Sequence, residues 1–240
     1  MVNRGHERVA LVTGGTRGIG RAIVEALAAD GFQVFFCGRS AKSVHEAERS
    51  LPQVPGRRTA GRVCDVRDER EVNALVADVL EAAGRLDCLV NNAGLGIFAP
   101  VDELSGEDFR LVVETNLHGA FYAIRAAVPA MKKQKSGWII NIASLAGKNP
   151  FASGAAYNAS KFGMIGLSEA AMLDLRHHGI RVAAILPGSV DTELRQVYGR
   201  SDTSWMLSPA DIAQTVLDLL RFPERALPSL IEIRPSRPPK

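Results

Sequence analysis

Val9-Ala10-Leu11-Val12-Thr13-Gly14-Gly15-Thr16-Arg17-Gly18-Ile19-Gly20 decides the reading of this chain. The first four residues are apolar and β-rich, which predicts a short buried strand. After the glycines, Ile19, Ala22, Ile23, Ala26 and Leu27 recur at three- and four-residue spacing, which predicts a helix stopping at Gly31. Strand, glycine turn and helix in that order are the context a dinucleotide-binding turn requires. Glycine lets the backbone turn tightly and approach a pyrophosphate, and the helix N-terminus offers unpaired N–H groups and a positive dipole end. A purely structural glycine turn would have the same spacing, so the rest of the chain must decide.

Downstream, Gln33 to Cys37 predicts a second strand, followed by Gly38-Arg39-Ser40. A dinucleotide fold has an acidic residue here for the adenosine ribose 2′-hydroxyl. This chain has Arg39, and no carboxylate until Glu46. With Arg17 in the turn, two guanidinium groups suit a 2′-phosphate, favouring NADP(H) over NAD(H). Two solvated surface arginines are the plainer alternative.

The alternation continues. Helices are predicted at about 41–50 and 69–83, a strand ending at Cys64 before Asp65-Val66, and a strand Leu86–Val90 before Asn91-Asn92-Ala93-Gly94. One long helix is expected from Glu107 to about Lys133. Asn116 lies among its apolar residues, where an asparagine is usually solvated or locally bonded. The strand Trp138–Ala143, a helix from Ala155 to about His177, the strand Arg181–Leu186 before Pro187-Gly188, a helix from Pro209 and the run Leu230–Ile233 follow. Strands interleaved with helices predict an α/β, Rossmann-type doubly wound fold: about seven parallel strands with helices on both faces. No linker divides the chain, so residues 1–240 are expected to be one domain, with a substrate lid at about 192–207 and a Pro/Arg-rich tail at 234–240.

The chemistry is concentrated in Ser144 to Lys161, SLAGKNPFASGAAYNASK. Tyr157 and Lys161 are four apart and share one face of a helix. Ser144 follows the apolar strand at its end. A phenol has a free pKa near ~10, and a neighbouring ammonium favours the phenolate and lowers that value. Phenol, ammonium and hydroxyl at one strand end suit proton transfer to a carbonyl oxygen.

Taken in register, these features resemble the short-chain dehydrogenase/reductase family over nearly the whole length. TGxxxGxG matches Thr13 to Gly20, NNAG matches Asn91 to Gly94, YxxxK matches Tyr157 and Lys161, and PG matches Pro187 and Gly188. The resemblance implies catalytic roles for Asn116, Ser144, Tyr157 and Lys161: Tyr157 as proton donor, Ser144 on the substrate oxygen, Lys161 on the nicotinamide ribose, and Asn116 holding a relay water. It implies cofactor contacts at Gly14, Thr16, Arg17, Gly18, Ile19, Gly20, Arg39, Ser40, Asp65, Val66, Asn92, Ala93, Gly94, Tyr157, Lys161, Pro187, Gly188, Val190 and Thr192. Asp65 would accept from the adenine amino group, with Val66 against the ring. The implied activity is NADPH-dependent reduction of a ketone or aldehyde. A 3-oxoacyl-thioester (acyl-carrier-protein) reductase is the alternative, weakened because arginines and prolines replace the glycine pair that many such enzymes carry after the last strand. A non-catalytic NADP(H)-binding regulatory protein is a further alternative, disfavoured by the intact phenol–ammonium pair.

Leu95, Ile97, Phe98, Lys148, Phe151, Tyr198, Trp205 and Met206 are candidate substrate walls, mostly apolar, with Lys148 a possible anion contact. The helices at 109–128 and from Ala155 are apolar around most of their circumference, which calls for cover, and family members pair such helices; a homodimer or homotetramer is expected. Net charge is only +3, without a basic block, so no nucleic-acid or membrane-surface partner is expected. The three cysteines lie in apolar runs without metal-ligand spacing, so no metal is expected. Reduced buried thiols, no signal-peptide pattern and no membrane-length apolar run point to a cytoplasmic protein.

Overall fold

Seven runs, all but the third mostly apolar, supply the strands: β1 Arg8–Val12, β2 Phe32–Gly38, β3 Thr59–Val63, β4 Cys88–Asn91, β5 Gly137–Ile142, β6 Ile180–Pro187 and β7 Leu230–Ile233. In the computed structural model, which describes residues 7–51, 59–192 and 202–238, they form one sheet of order β3-β2-β1-β4-β5-β6-β7, every neighbouring pair parallel. A parallel sheet buried on both faces reads as continuous apolar sequence, as β5 and β6 do. Strand order reverses between β1 and β4, and open sheets of this kind bind ligands at that point, outside the carboxyl ends of the strands.

Helices cover both faces. On one side α1 (Gly18–Ala29), α2 (Ala41–Ser50) and α7 (Pro209–Arg221) pack Ile23, Leu27, Val44, Ile212 and Val216 onto the sheet. On the other, α3 (Glu69–Ala83), α5 (Gly119–Gln134) and α6 (Ala155–Leu175) contribute Val72, Val76, Ala127, Met131 and Leu175. Trp138 is buried in β5 with the Arg181 guanidinium over its ring, 4.3 Å from the centroid. Cys37, Cys64 and Cys88 are free and buried.

The helix expected over residues 107–133 is divided. It runs as α4 (Gly106–Val113), a π-helical turn at Glu114–His118, then α5. Asn116 lies in that turn and is fully buried, neither solvated nor locally bonded. The expected lid falls mainly on residues 193–201, Tyr198 among them, outside the described residues. Beyond it, Asp191 N–H donates to Leu207 O at 2.8 Å, so the segment carrying half-buried Trp205 returns to the end of β6. The tail does not extend β7, but Pro235 packs back beside Gly188. No described helix is long and apolar enough to cross a membrane.

Candidate active site

The glycine turn lies on the loop after β4. Gly14 has φ 66°, a left-handed backbone that favours glycine, and a Cβ there would come 2.8 Å from Ala93 Cα. At Gly20 a Cβ would overlap the Gly14 carbonyl oxygen and the Asn92 amide. Thr13 fastens the two segments: its hydroxyl accepts the N–H groups of Asn92 (3.0 Å) and Ala93 (3.1 Å). Asn92 Nδ2 donates to the carbonyls of Thr13 and Gly14, each at 3.0 Å. At the N-caps of α2, α3, α4 and α7 the side chains of Ser40, Asp68, Ser105 and Ser208 accept backbone N–H groups, whereas Arg17 at the start of α1, like Gly154 at the start of α6, supplies no such cap. The start of α1 thus lacks a capping side chain at Arg17, and an anion suits first-turn N–H groups of this kind. That bare, glycine-lined turn fits the diphosphate of a dinucleotide.

The remaining expected contacts ring this turn. Thr16 sits over Gly38, and Arg17 and Arg39 are both exposed at the rim, with Ser40 beside Arg39 capping α2. Ile19 packs partly on the core beneath. Asp65 is engaged by Arg67, whose guanidinium holds its carboxyl below the usual carboxylate range, so it stays an ionised acceptor. Val66 is buried, with its side chain beside Gly119 of α5. Gly94 lies against Asn116 Oδ1. Pro187 ends β6, Gly188 N–H donates to Ile233 O at 2.8 Å, and Val190 is buried in a bridge to Leu207. Thr192 Cγ2 would be 3.5 Å from a Cβ on Gly18, which closes the ring from the β6 side.

The catalytic candidates converge beside it. Lys161 is 5% exposed and donates from Nζ to Ile142 O, the last residue of β5, at 2.9 Å. Burial pushes its ammonium down to about 8. Its Nζ lies 5.7 Å from the centroid of the Tyr157 ring. Ser144, two residues past Ile142, accepts the Ala146 N–H at 3.1 Å and so starts the 3₁₀ turn Leu145–Gly147. That bond uses a hydroxyl lone pair and leaves the hydroxyl proton to give. Asn116 spans the gap between β4 and α6. It accepts from Leu95 N–H (2.8 Å) and donates to Leu95 O (2.9 Å) and Ser160 Oγ (3.0 Å). Ser160 in turn donates to Tyr157 O at 2.8 Å.

Sequence patterns missed two features. Thr13 is the clasp described above, visible in sequence only as the residue before the glycines. Asn141, in the middle of an apolar strand, accepts from Asn91 Nδ2 and donates to Ser168 Oγ, each at 2.8 Å. This chain of buried polar groups ties β4, β5 and α6 together, and a polar residue inside β5 was its only signal.

The family model described as short chain dehydrogenase matches residues 8–202. The chain belongs to that family of oxidoreductases. It is 42% identical over 188 residues to a putative ketoacyl reductase of Streptomyces coelicolor, covering 78% of this chain and 72% of that protein. Among solved structures it resembles a metagenomic short-chain oxidoreductase in complex with NADP, at 36% identity and TM-score 0.84, covering 97% of this chain and 99% of the other. It also resembles a variant of the actinorhodin polyketide ketoreductase with NADPH, at 34% identity and TM-score 0.88, covering 95% and 96%.

Proposed function

We propose that the chain is an NADP(H)-dependent carbonyl reductase, reducing a ketone or aldehyde and, in reverse, oxidising a secondary alcohol. The observation that carries this is the buried Lys161, fixed on Ile142 O two residues before Ser144 and lying beside the Tyr157 ring. A buried ammonium held beside a phenol is the arrangement expected of a site that moves protons.

A nicotinamide cofactor held at the glycine turn would supply hydride for the carbonyl carbon. Tyr157 gives its phenolic proton to the carbonyl oxygen, and the Lys161 ammonium steadies the phenolate left behind. Ser144 donates a hydrogen bond to the same oxygen and holds it in line. Asn116 positions Tyr157 through Ser160 and the α6 backbone. Arg17 and Arg39, with Ser40, would meet a 2′-phosphate, while Asp65 would take the adenine amino group on the lone pairs that Arg67 leaves free. Two of the solved structures that the chain resembles are described with NADP and with NADPH, which supports the choice of phosphate.

Tyr157→Phe tests the chemistry. We expect NADPH binding to persist while turnover falls by roughly a thousand-fold or more, in line with loss of a positioned proton donor; near-normal turnover would sink the assignment. For the cofactor, Arg39→Asp should lower kcat/KM for NADPH against NADH by at least roughly ten-fold, the loss of one charge-assisted contact. Equal use of both cofactors by the unaltered protein would overturn that part.

The similarity to a ketoacyl reductase favours a second reading, reduction of a 3-oxoacyl thioester. Following nicotinamide oxidation with ketones, aldehydes, quinones and 3-oxoacyl thioesters separates the two. We place the protein in the cytoplasm with a small-molecule substrate and no nucleic-acid or membrane partner.

A further inference from the structure

The wall beside Tyr157 is aromatic and set in advance. The Phe98 and Phe151 ring centroids are 5.6 Å apart, and they lie 5.5 and 6.3 Å from that of Tyr157. Each phenylalanine rests on bare backbone. A Cβ on Gly96 would come 2.5 Å from Phe98, and one on Gly154 would come 2.7 Å from Phe151. The two loops that carry the rings are joined, since Ala99 N–H donates to Ser153 O at 2.9 Å and Ala99 bridges to Gly154. Ser153 takes a left-handed backbone, φ 60°, uncommon for a residue with a Cβ. Asn158 of α6 donates to Phe151 O at 2.9 Å and fastens this loop to the helix bearing Tyr157. Phe151 is nonetheless 46% exposed, a large apolar face left open at the site's edge.

The one cation on the same loop is turned away from this role. Lys148 Nζ pairs with Glu232 Oε1 of β7 at 2.5 Å, and Arg234 Nη2 holds the other carboxylate oxygen at 2.7 Å. Both cations keep the Glu232 carboxyl ionised, Lys148 more strongly.

We propose that the site selects carbonyl compounds whose reacting group is flanked by a flat, uncharged ring, seated on Phe98 and Phe151, and that Glu232 disfavours anionic substrates by holding Lys148. The proposal deepens the carbonyl-reductase reading and rests on it for turnover. It concerns the portion of substrate next to the carbonyl, whatever else is attached. Ring–ring contacts supply preference because a pre-set aromatic face costs no ordering when the ring arrives.

The test compares acetophenone, 2-pentanone and 4-acetylbenzoate with NADPH, in the unaltered protein, Phe151→Ala and Glu232→Gln. Acetophenone should be preferred over 2-pentanone in kcat/KM, and Phe151→Ala should shrink that ratio roughly five-fold, as expected for one lost aromatic pair. Glu232→Gln should raise kcat/KM for 4-acetylbenzoate relative to acetophenone by roughly three- to five-fold, the scale of one exposed ion pair. Turnover with a ratio unmoved by Phe151→Ala, or an unchanged acid-to-neutral ratio in Glu232→Gln, would overturn the corresponding half of the proposal while leaving the carbonyl chemistry intact. Ligand-observed NMR of 1-phenylethanol supplies a readout free of turnover. Binding lost in Phe151→Ala in a protein that reduces nothing would refute the reductase reading and support the ring site; no binding would refute the ring site.

Discussion

At the scale of single residues, Lys161 carries an electrostatic cost, because burial disfavours its ammonium. Its folded-state value of about 8 lies below the free value of 10.5, so between these the unfolded chain binds more protons. Stability should therefore rise with pH across that window, by on the order of 3 kcal/mol if the whole shift is realised. Lys161→Met removes the effect. In nucleotide-free protein, the urea-midpoint advantage of that variant over the unaltered chain should be larger at pH 7 than at pH 10; parallel profiles would refute this account. Tyr157 and Lys161 were legible because a four-residue spacing is a local signal. Thr13 and Asn141 were not, because their partners come from elements far along the chain and a single sequence does not record that distance. Asp65 and Val66 fall between: their position after a strand could be read, whereas the Arg67 pairing and the packing on Gly119 could not.

At the scale of elements, the π-helical turn at Glu114–His118 is the clearest departure from the sequence pattern. Such a turn accommodates one extra residue in the helix, and apolar spacing of three and four is too forgiving to reveal it. Its effect is to aim Asn116 at the loop after β4 and at α6 together. Asn116→Ala would leave the Leu95 N–H and carbonyl and the Ser160 hydroxyl without that partner. We expect a loss of about 1–3 kcal/mol, read by thermal unfolding. Turnover should fall further than the fraction unfolded explains, because Tyr157 is braced through Ser160; a stability loss with unchanged kcat would limit Asn116 to a structural role. Strand identities, by contrast, were readily legible. Central strands of a sheet covered on both faces are continuous apolar runs, and β1, β2, β4, β5 and β6 each run into the glycine, asparagine, serine or proline of the following loop.

At the scale of the whole molecule, the outward side of α4, α5 and α6 leaves Phe109, Phe121, Phe162 and Leu173 40–53% exposed. Three helices that are part of one face, since α4 continues into α5 and packs on α6, thus display apolar surface of the kind that marks an interface. A second copy of the chain is the occupant we expect, giving a dimer or tetramer. Phe162→Asp should shift the protein to monomer by light scattering at micromolar concentration, and an unaltered protein that is already monomeric would refute the expectation. The charged substitution should also lower activity only as far as α6 loosens, since Phe162 follows Lys161 directly. The two tryptophans, finally, divide the molecule optically. Trp138 is sealed in the sheet under Arg181, so its emission should stay blue-shifted until the sheet unfolds. Trp205 is half-exposed where the chain returns to β6, and is the fluorophore placed to sense events at the crevice mouth. In Trp138→Phe, the remaining fluorescence becomes a single-site gauge of nucleotide arrival, separable from folding without any attached dye.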